Sequence, residues 1–254
     1  RLQFYGEGGT LGNGRLSIVR DMAGRYNTVL ANNSGTLTWA FNFFSGQDNM
    51  TGLGAGKYAG LFVLGATTTN FVNGYGDGYA VRICSNQVAL VKFTGGLNTD
   101  AKATVIGTPA NLAANTPMGV RVDMDPATGA WTLYTTNWGG DSAASFGDPL
   151  TAAELATSTV DSTHLGTKNL RYVGCYWNHG SGTPGPIYGA AFDDVHAPYV
   201  MPTAPLMTFL VYDEDVTGPV HSGFNVNGRQ YSLTFIHPGG LNVTGLVADA
   251  NGVY

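Results

Sequence analysis

The chain has 254 residues, of which 43% are hydrophobic, so it is long enough for one large core and a smaller unit. Only 11% are charged, against a usual share of about 25%, and the net charge of −5 comes with no basic cluster. That balance argues against nucleic acid, whose binding rests on Lys and Arg meeting phosphates, and no apolar run reaches the roughly 20 residues of a membrane helix.

Arg1-Leu2-Gln3-Phe4 reads as the start of a strand, with no initiator Met and no signal peptide before it. The expectation is a processed chain or a piece of something larger. Residues 16–19 are a short apolar run. Residues 36–44 (TLTWAFNFF) are rich in Thr and aromatics and read as a strand. One face would carry Leu37, Trp39, Phe41 and Phe43, the other Thr38, Ala40, Asn42 and Phe44. A loop at 47–56 precedes a fully apolar strand at 58–64, and a polar Thr/Asn loop runs on to Gly78. Residues 79–83 and 88–93 flank Ser85-Asn86-Gln87 as a hairpin.

A second hairpin spans 119–137. Val120, Val122 and Met124 alternate with Arg121, Asp123 and Asp125, and the turn Asp125-Pro126-Ala127-Thr128-Gly129 uses Pro to set φ and Gly to close. Residues 148–159 (DPLTAAELATST) suggest a short helical turn or an irregular crossover. Residues 171–177 are a largely apolar run that breaks into a Gly/Pro/Ser loop, with Trp177, Asn178 and His179 expected to be exposed at the break. A short strand then closes on Phe192-Asp193-Asp194-Val195. These would be the last two strands of a sandwich.

Three prolines fall within residues 197–205, which reads as a linker or edge segment. The expected division is therefore 1–199 for a β-sandwich and 200–254 for a short β segment. The latter has an acidic run at 213–215 and an Asn227-Gly228 hairpin turn. An immunoglobulin-like sandwich needs about seven strands, so the tail either pairs with the first domain or continues into further sequence. Fourteen Asp against three Glu (Glu7, Glu154, Glu214) agree with many turns and little helix.

Cys84 and Cys175 both fall in predicted strands. Two readings stand: buried reduced thiols, or a bridge closing a loop of about 90 residues and contributing roughly 4 to 5 kcal/mol. A bridge would imply an extracytoplasmic home. Cys175-x-x-x-His179 has ligand-like spacing but no second pair, so zinc is not expected.

In order, Trp39-Ala40-Phe41-Asn42, Gly78-Tyr79-Ala80-Val81, Val122-Asp123-Met124-Asp125-Pro126 and Phe192-Asp193-Asp194-Val195 resemble the concanavalin A-like lectin/glucanase (LamG-like) jelly-roll modules of large secreted bacterial proteins. The resemblance covers about residues 1 to 200. The tail, with Gly218-Pro219-Val220-His221-Ser222-Gly223-Phe224 and Gly245-Leu246-Val247-Ala248-Asp249, resembles the opening strands of an immunoglobulin-like module. The resemblance implies an all-β antiparallel jelly-roll sandwich, an extracellular or cell-surface location, neighbouring modules and structural calcium. It does not imply catalysis, since such folds host enzymes, lectins and spacers alike.

Catalytic members of that superfamily carry a Glu-x-Asp-x-x-Glu pattern, which this chain lacks. Asp123-x-Asp125 places two acids on one strand face, but Asp125 opens a Pro-Gly turn and no third acid follows. Adjacent Asp193 and Asp194 would point to opposite faces of a strand. His179 near Tyr176 and Arg171 is the nearest approach to a lyase constellation. No cofactor is required. Calcium could find oxygen ligands in the loops 47–49 and 73–77 or at Asp193 and Asp194, with Asp194 the best single candidate. Three places pair an aromatic with polar groups in or beside a loop, as a glycan surface would: Tyr75-Gly76-Asp77, Trp138-Gly139-Gly140-Asp141 and Trp177-Asn178-His179. The function expected is a non-catalytic extracellular module that binds a polysaccharide or spaces its neighbours. The alternatives are a structural subunit completed by strand pairing with another copy, and an atypical glycan hydrolase or lyase.

Overall fold

The computed structural model describes residues 2–4, 14–22, 24–46, 50–84, 86–111, 116–180 and 189–198, with six two-residue strands farther on. The chain divides into two units, Arg1–Val200 and Met201–Tyr254.

The first unit is an all-β antiparallel jelly-roll sandwich. Its strands are β1 (Leu2–Phe4), β2 (Gly14–Asp21), β3 (Leu37–Ser45), β4 (Ala59–Ala66), β5 (Asp77–Cys84), β6 (Gln87–Thr94) and β7 (Ala103–Val105). They continue with β8 (Ala110–Asn111), β9 (Met118–Asp125), β10 (Ala130–Asn137), β11 (Glu154–Val160), β12 (Tyr172–His179) and β13 (Ala190–His196). One sheet runs β1-β13-β3-β9-β10-β11. The other runs β2-β12-β4-β5-β6-β7, with β8 also paired to β6.

Alternation decides which side chains meet between the sheets. Leu37, Trp39, Phe41 and Phe43 point inward from β3, and Val120, Val122 and Met124 from β9. They meet Phe62, Leu64, Val81, Ile83, Cys175 and Trp177 of the other sheet. Phe41 stacks on Phe62 at 4.7 Å across the gap, and Trp39 on Trp131 at 5.7 Å. Each fully buried aromatic of this kind contributes roughly 1.5 to 3 kcal/mol over its exposed state.

The seven-stranded sheet is apolar on its outer face as well. Leu61, Val63, Ala80, Ala89, Val91, Phe93 and Tyr176 form a second cluster there, closed over by Leu53, Phe71 and Leu97 from loops. That explains why β4 reads as a continuous apolar run: every one of its eight residues is buried. The loops on this layer include two 3-10 turns, Thr69–Asn73 and Asp100–Lys102.

A short helix, α1 (Arg25–Asn32), lies between β2 and β3. Its sequence, with Asn, Thr and Val, is a poor helix former. Burial holds it in place: Tyr26 and Leu30, four apart on one face, enter the core. The Tyr26 hydroxyl donates to Leu64 O at 2.6 Å and accepts from Trp39 Nε1 at 2.8 Å.

Residues 148–159 begin with the expected short helical turn but continue as a strand rather than an irregular crossover. Asp148 caps a 3-10 turn at Pro149–Thr151 by accepting from Leu150 N at 3.0 Å, and the remainder is β11. Thr157, Thr159 and Val160 supply the β-branched residues that a strand favours.

The second unit contains three antiparallel two-residue pairs. Val211–Tyr212 pairs with Pro219–Val220, Asn225–Val226 with Arg229–Gln230, and Phe235–Ile236 with Asn242–Val243. The middle pair flanks Asn227 and Gly228 in sequence. The rest of the stretch expected to open an immunoglobulin-like module lies outside the described residues.

Candidate functional site

Trp177, Asn178 and His179 correct the expectation of an exposed loop. They are the last residues of β12, which is hydrogen-bonded on both sides, to β2 and to β4. Trp177 is 2% exposed and faces Tyr58 in the core. Asn178 points the other way and is fully used as a clamp. Its Nδ2 donates to Gly54 O at 3.1 Å and Lys57 O at 2.7 Å, and its Oδ1 accepts from Gly54 N at 3.4 Å. His179 is half-buried, its ring laid over Gly14. The following 181–188 stretch lies outside the described residues.

Cys84 and Cys175 are buried thiols and not joined in a disulfide, which sets aside the bridge. The strand period explains it. Cys175 faces the inter-sheet core and Cys84 the opposite face of the same sheet. Burial pushes the Cys175 thiol up to about 12.

The fold brings Trp138 and Asp194 together through Asn42, which the sequence reading left unassigned. Asn42 is fully buried on the outer face of β3. Its Oδ1 accepts from Trp138 Nε1 at 2.8 Å, and its Nδ2 donates to Gly147 O at 2.7 Å and Asp194 Oδ2 at 3.2 Å. The Trp138 ring is sandwiched between Gly119 and Gly147. A Cβ at Gly119 would sit 2.6 Å from Trp138 Cζ2, so only glycine permits the approach. Asp194 has φ of +46°, within the register shift between Asp193–Asn42 and His196–Ala40 where β13 bulges against β3. It ties the last strand of the sandwich to its neighbour through an amide. Among the described residues, no three His, Cys, Asp or Glu side chains converge as a metal group would. The 47–49 loop lies outside the described residues.

The acids of the enzyme reading are engaged in the fold. Asp123 accepts from Thr38 Oγ1 at 2.8 Å and pairs with Arg121. Asp125 accepts from Ala127 N at 2.9 Å and from Thr128 Oγ1 at 2.8 Å, capping its own turn.

Tyr75 and Asp77 differ in kind from the other candidates. Tyr75 is 62% exposed, the most open aromatic among the described residues. Glycines flank it with φ of +95° at Gly74 and +78° at Gly76, a left-handed region that side chains disfavour. The loop is anchored at both ends. Phe71 is buried against Tyr176 and accepts from Leu97 N at 2.8 Å, while Gly96 N donates to Gly76 O at 2.7 Å. Asp77 Oδ1 accepts from Gly95 N at 3.1 Å, and Lys168 pairs with its other oxygen at 2.8 Å. Burial opposes the Asp77 charge, but the bonds from Lys168 and Gly95 outweigh it, and its pKa falls below the usual carboxylate range. Lys102 Nζ donates to Gly74 O at 3.2 Å from one side, and the Asn98 side chain lies against Gly74 beside it. A rigid loop thus holds an aromatic ring in water, with amide and ammonium groups at its base.

No family model matches the chain, and no curated protein sequence does. Among solved structures, it is similar to the CBM40 of a Ruminococcus gnavus IT-sialidase, at 15% identity and a TM-score of 0.35, over 77% of this chain and 94% of that one. It is also similar to a GH131 β-glucanase catalytic domain from Podospora anserina, at 14% identity and a TM-score of 0.33, over 66% and 60%. A third is lectin I-B4 from Griffonia simplicifolia, at 11% identity and a TM-score of 0.37, over 75% and 84%. None of these likenesses bears on a residue or a ligand here.

A second cluster went unnoticed in the sequence. Asp161 accepts from Tyr79 Oη at 2.8 Å and from Lys92 Nζ at 2.6 Å. His164 N donates to Tyr79 Oη at 3.0 Å, and His164 Nε2 lies 3.1 Å from Phe93 O. Burial drives the Tyr79 hydroxyl well above the usual phenol range, so it stays protonated as a donor. The cluster fastens the 161–168 segment to β5 and β6. Its members are separated by up to 85 residues, and no local motif announces them.

Proposed function

We propose that this chain is a non-catalytic glycan-binding module of an extracellular or cell-surface protein, with Tyr75 as the platform on which a sugar ring stacks. The observation that carries the reading is the exposed ring itself, 62% open on a loop tied down by four backbone and side-chain contacts. Leaving a large aromatic in water forgoes roughly 25 cal/mol for each Å² of apolar surface not buried. A ring held out rigidly binds without first losing conformational freedom. Sugars present C–H faces to such rings and hydroxyls to the amide and ammonium groups beside them.

The non-catalytic part rests on the acids. Retaining hydrolysis needs two carboxyl groups about 5 Å apart, one of them protonated. Asp123 and Asp125 are committed to Thr38, Arg121 and their own turn, and Asp77 and Asp161 are held ionised.

The test is a broad glycan array, run with and without calcium, on wild type and Tyr75→Ala. Binding by the wild type and its loss in the variant, with an unchanged melting curve, is the expected outcome. An array with no retained glycan would sink the reading. Product release from the bound polysaccharide would overturn the non-catalytic half.

A further inference from the structure

We infer that the ligand at the Tyr75 platform is an acidic glycan, whose carboxylate or sulfate is taken by Lys102 and Arg15. The inference rests on the glycan reading above and adds the ligand's charge.

The positive charges lie far apart in sequence, at Arg15, Lys57, Arg82 and Lys102. The loop that follows β6 draws them into one layer over the outer face of the seven-stranded sheet. Its Leu97 O accepts from Tyr176 Oη at 3.1 Å, fixing that loop above the sheet. Asn98 O lies 3.5 Å from an Arg15 guanidinium nitrogen. A Cβ added at Gly74 would lie 2.8 Å from Asn98 Nδ2 and 2.9 Å from Lys102 Nζ, so both groups converge at the base of Tyr75.

Asp100 serves two of these four cations. Asp100 takes Lys57 at 2.7 Å and Arg82 at 3.3 Å, and also accepts from Leu53 N at 2.9 Å. Asp77 is matched by Lys168. Among the described residues, Arg15 and Lys102 therefore meet only carbonyl oxygens, Asn98 O and Gly74 O, and no carboxylate. Asn98 Oδ1, beside Lys102, is buried without a hydrogen-bond partner. A local excess of positive charge stands out in a chain of net charge −5. Each ammonium or guanidinium bonded to an anion contributes more than a neutral hydrogen bond does, and the attraction is screened by salt.

The experiment measures affinity for polygalacturonate and a sulfated galactan, beside the carboxyl-reduced and desulfated forms of each, at low and high NaCl. The proteins are wild type, Lys102→Gln, Arg15→Gln and Tyr75→Ala. Wild type is expected to prefer at least one acidic polymer over its neutral form by on the order of tenfold or more, with the preference shrinking in salt. Preference for polygalacturonate alone assigns the anion as a carboxylate, and for the galactan alone as a sulfate. Each Gln variant should lose most of that preference, with affinity falling further for the acidic form than for the neutral one. Tyr75→Ala should lose both. Equal affinity for acidic and neutral forms, or Gln variants that keep the preference, would overturn the acidic ligand and leave glycan binding standing. If none of the four polymers binds while a neutral glycan on the array does, the acidic ligand is likewise wrong. If nothing binds anywhere, the glycan reading fails first.

Discussion

Asn42 carries no charge and touches no solvent, yet its amide joins Trp138, Gly147 and Asp194, which lie 96, 105 and 152 residues from it in sequence. Removing it strands a buried indole N–H and takes from Asp194 a hydrogen-bond donor. Asn42→Ala is expected to lower unfolding stability by about 2 to 4 kcal/mol, read from urea unfolding. Tyr75→Ala supplies the contrast, since an exposed ring contributes little to folding, and a change within about 0.5 kcal/mol is expected. A residue important for the fold and a residue placed for a ligand are thereby told apart by one measurement. An Asn42→Ala protein as stable as wild type would remove the hub assigned to it.

The segment from Asp161 to Lys168 is fastened by titrating groups, so it should loosen with acid in a predictable order. His164 Nε2 faces a carbonyl and so carries the proton, while the buried Nδ1 has no partner. Burial holds this imidazole below its usual value of about 6.5. From about pH 6.5 downward the unfolded chain binds a proton that the folded chain refuses, and stability falls. Asp161 and Asp77 follow. Burial alone would raise them, but Lys92 and Lys168 with neighbouring donors hold both below the usual range near 3.9. Their contribution is complete above that value and is lost as pH drops through the folded-state constants. Urea midpoints from pH 8 to pH 3 should decline in two stages, and His164→Gln should remove the upper one. A flat profile in the wild type would refute the account. Element by element, the sequence was readable where the signal is local. The Asp125–Gly129 turn stands as expected, with Gly129 N donating to Asp125 O at 2.8 Å and φ of +67° at Gly129. The inward row Leu37, Trp39, Phe41 and Phe43 of β3 stands as well. The helix α1 was hidden because Tyr26 and Leu30 hold it through the core, which local propensity does not report. The end of β12 was misread because a Trp-Asn-His triplet before glycine resembles a loop, whereas flanking strands on both sides bury it. The basic layer under Tyr75 escaped notice for the same reason: its members are distant in sequence and meet only across a sheet.

At the scale of the molecule, the latest strands to be made sit inside the sheets. β12 lies between β2 and β4, and β13 between β1 and β3. A chain stopped at Leu170 should therefore lack native tertiary packing, with no cooperative melt and no near-ultraviolet signal from Trp39 and Trp131. A cooperative melt from that fragment would contradict the topology's demand. For a growing polypeptide the arrangement is a wedge driven in at the end. Early strands emerge with open flanks, and their partners do not yet exist. Asn42 must wait 152 residues for Asp194. Such pairing at long range folds slowly, in milliseconds to seconds or beyond. Until then the edges of β2, β4, β1 and β3 that the last two strands will cover stay open to pairing with another chain.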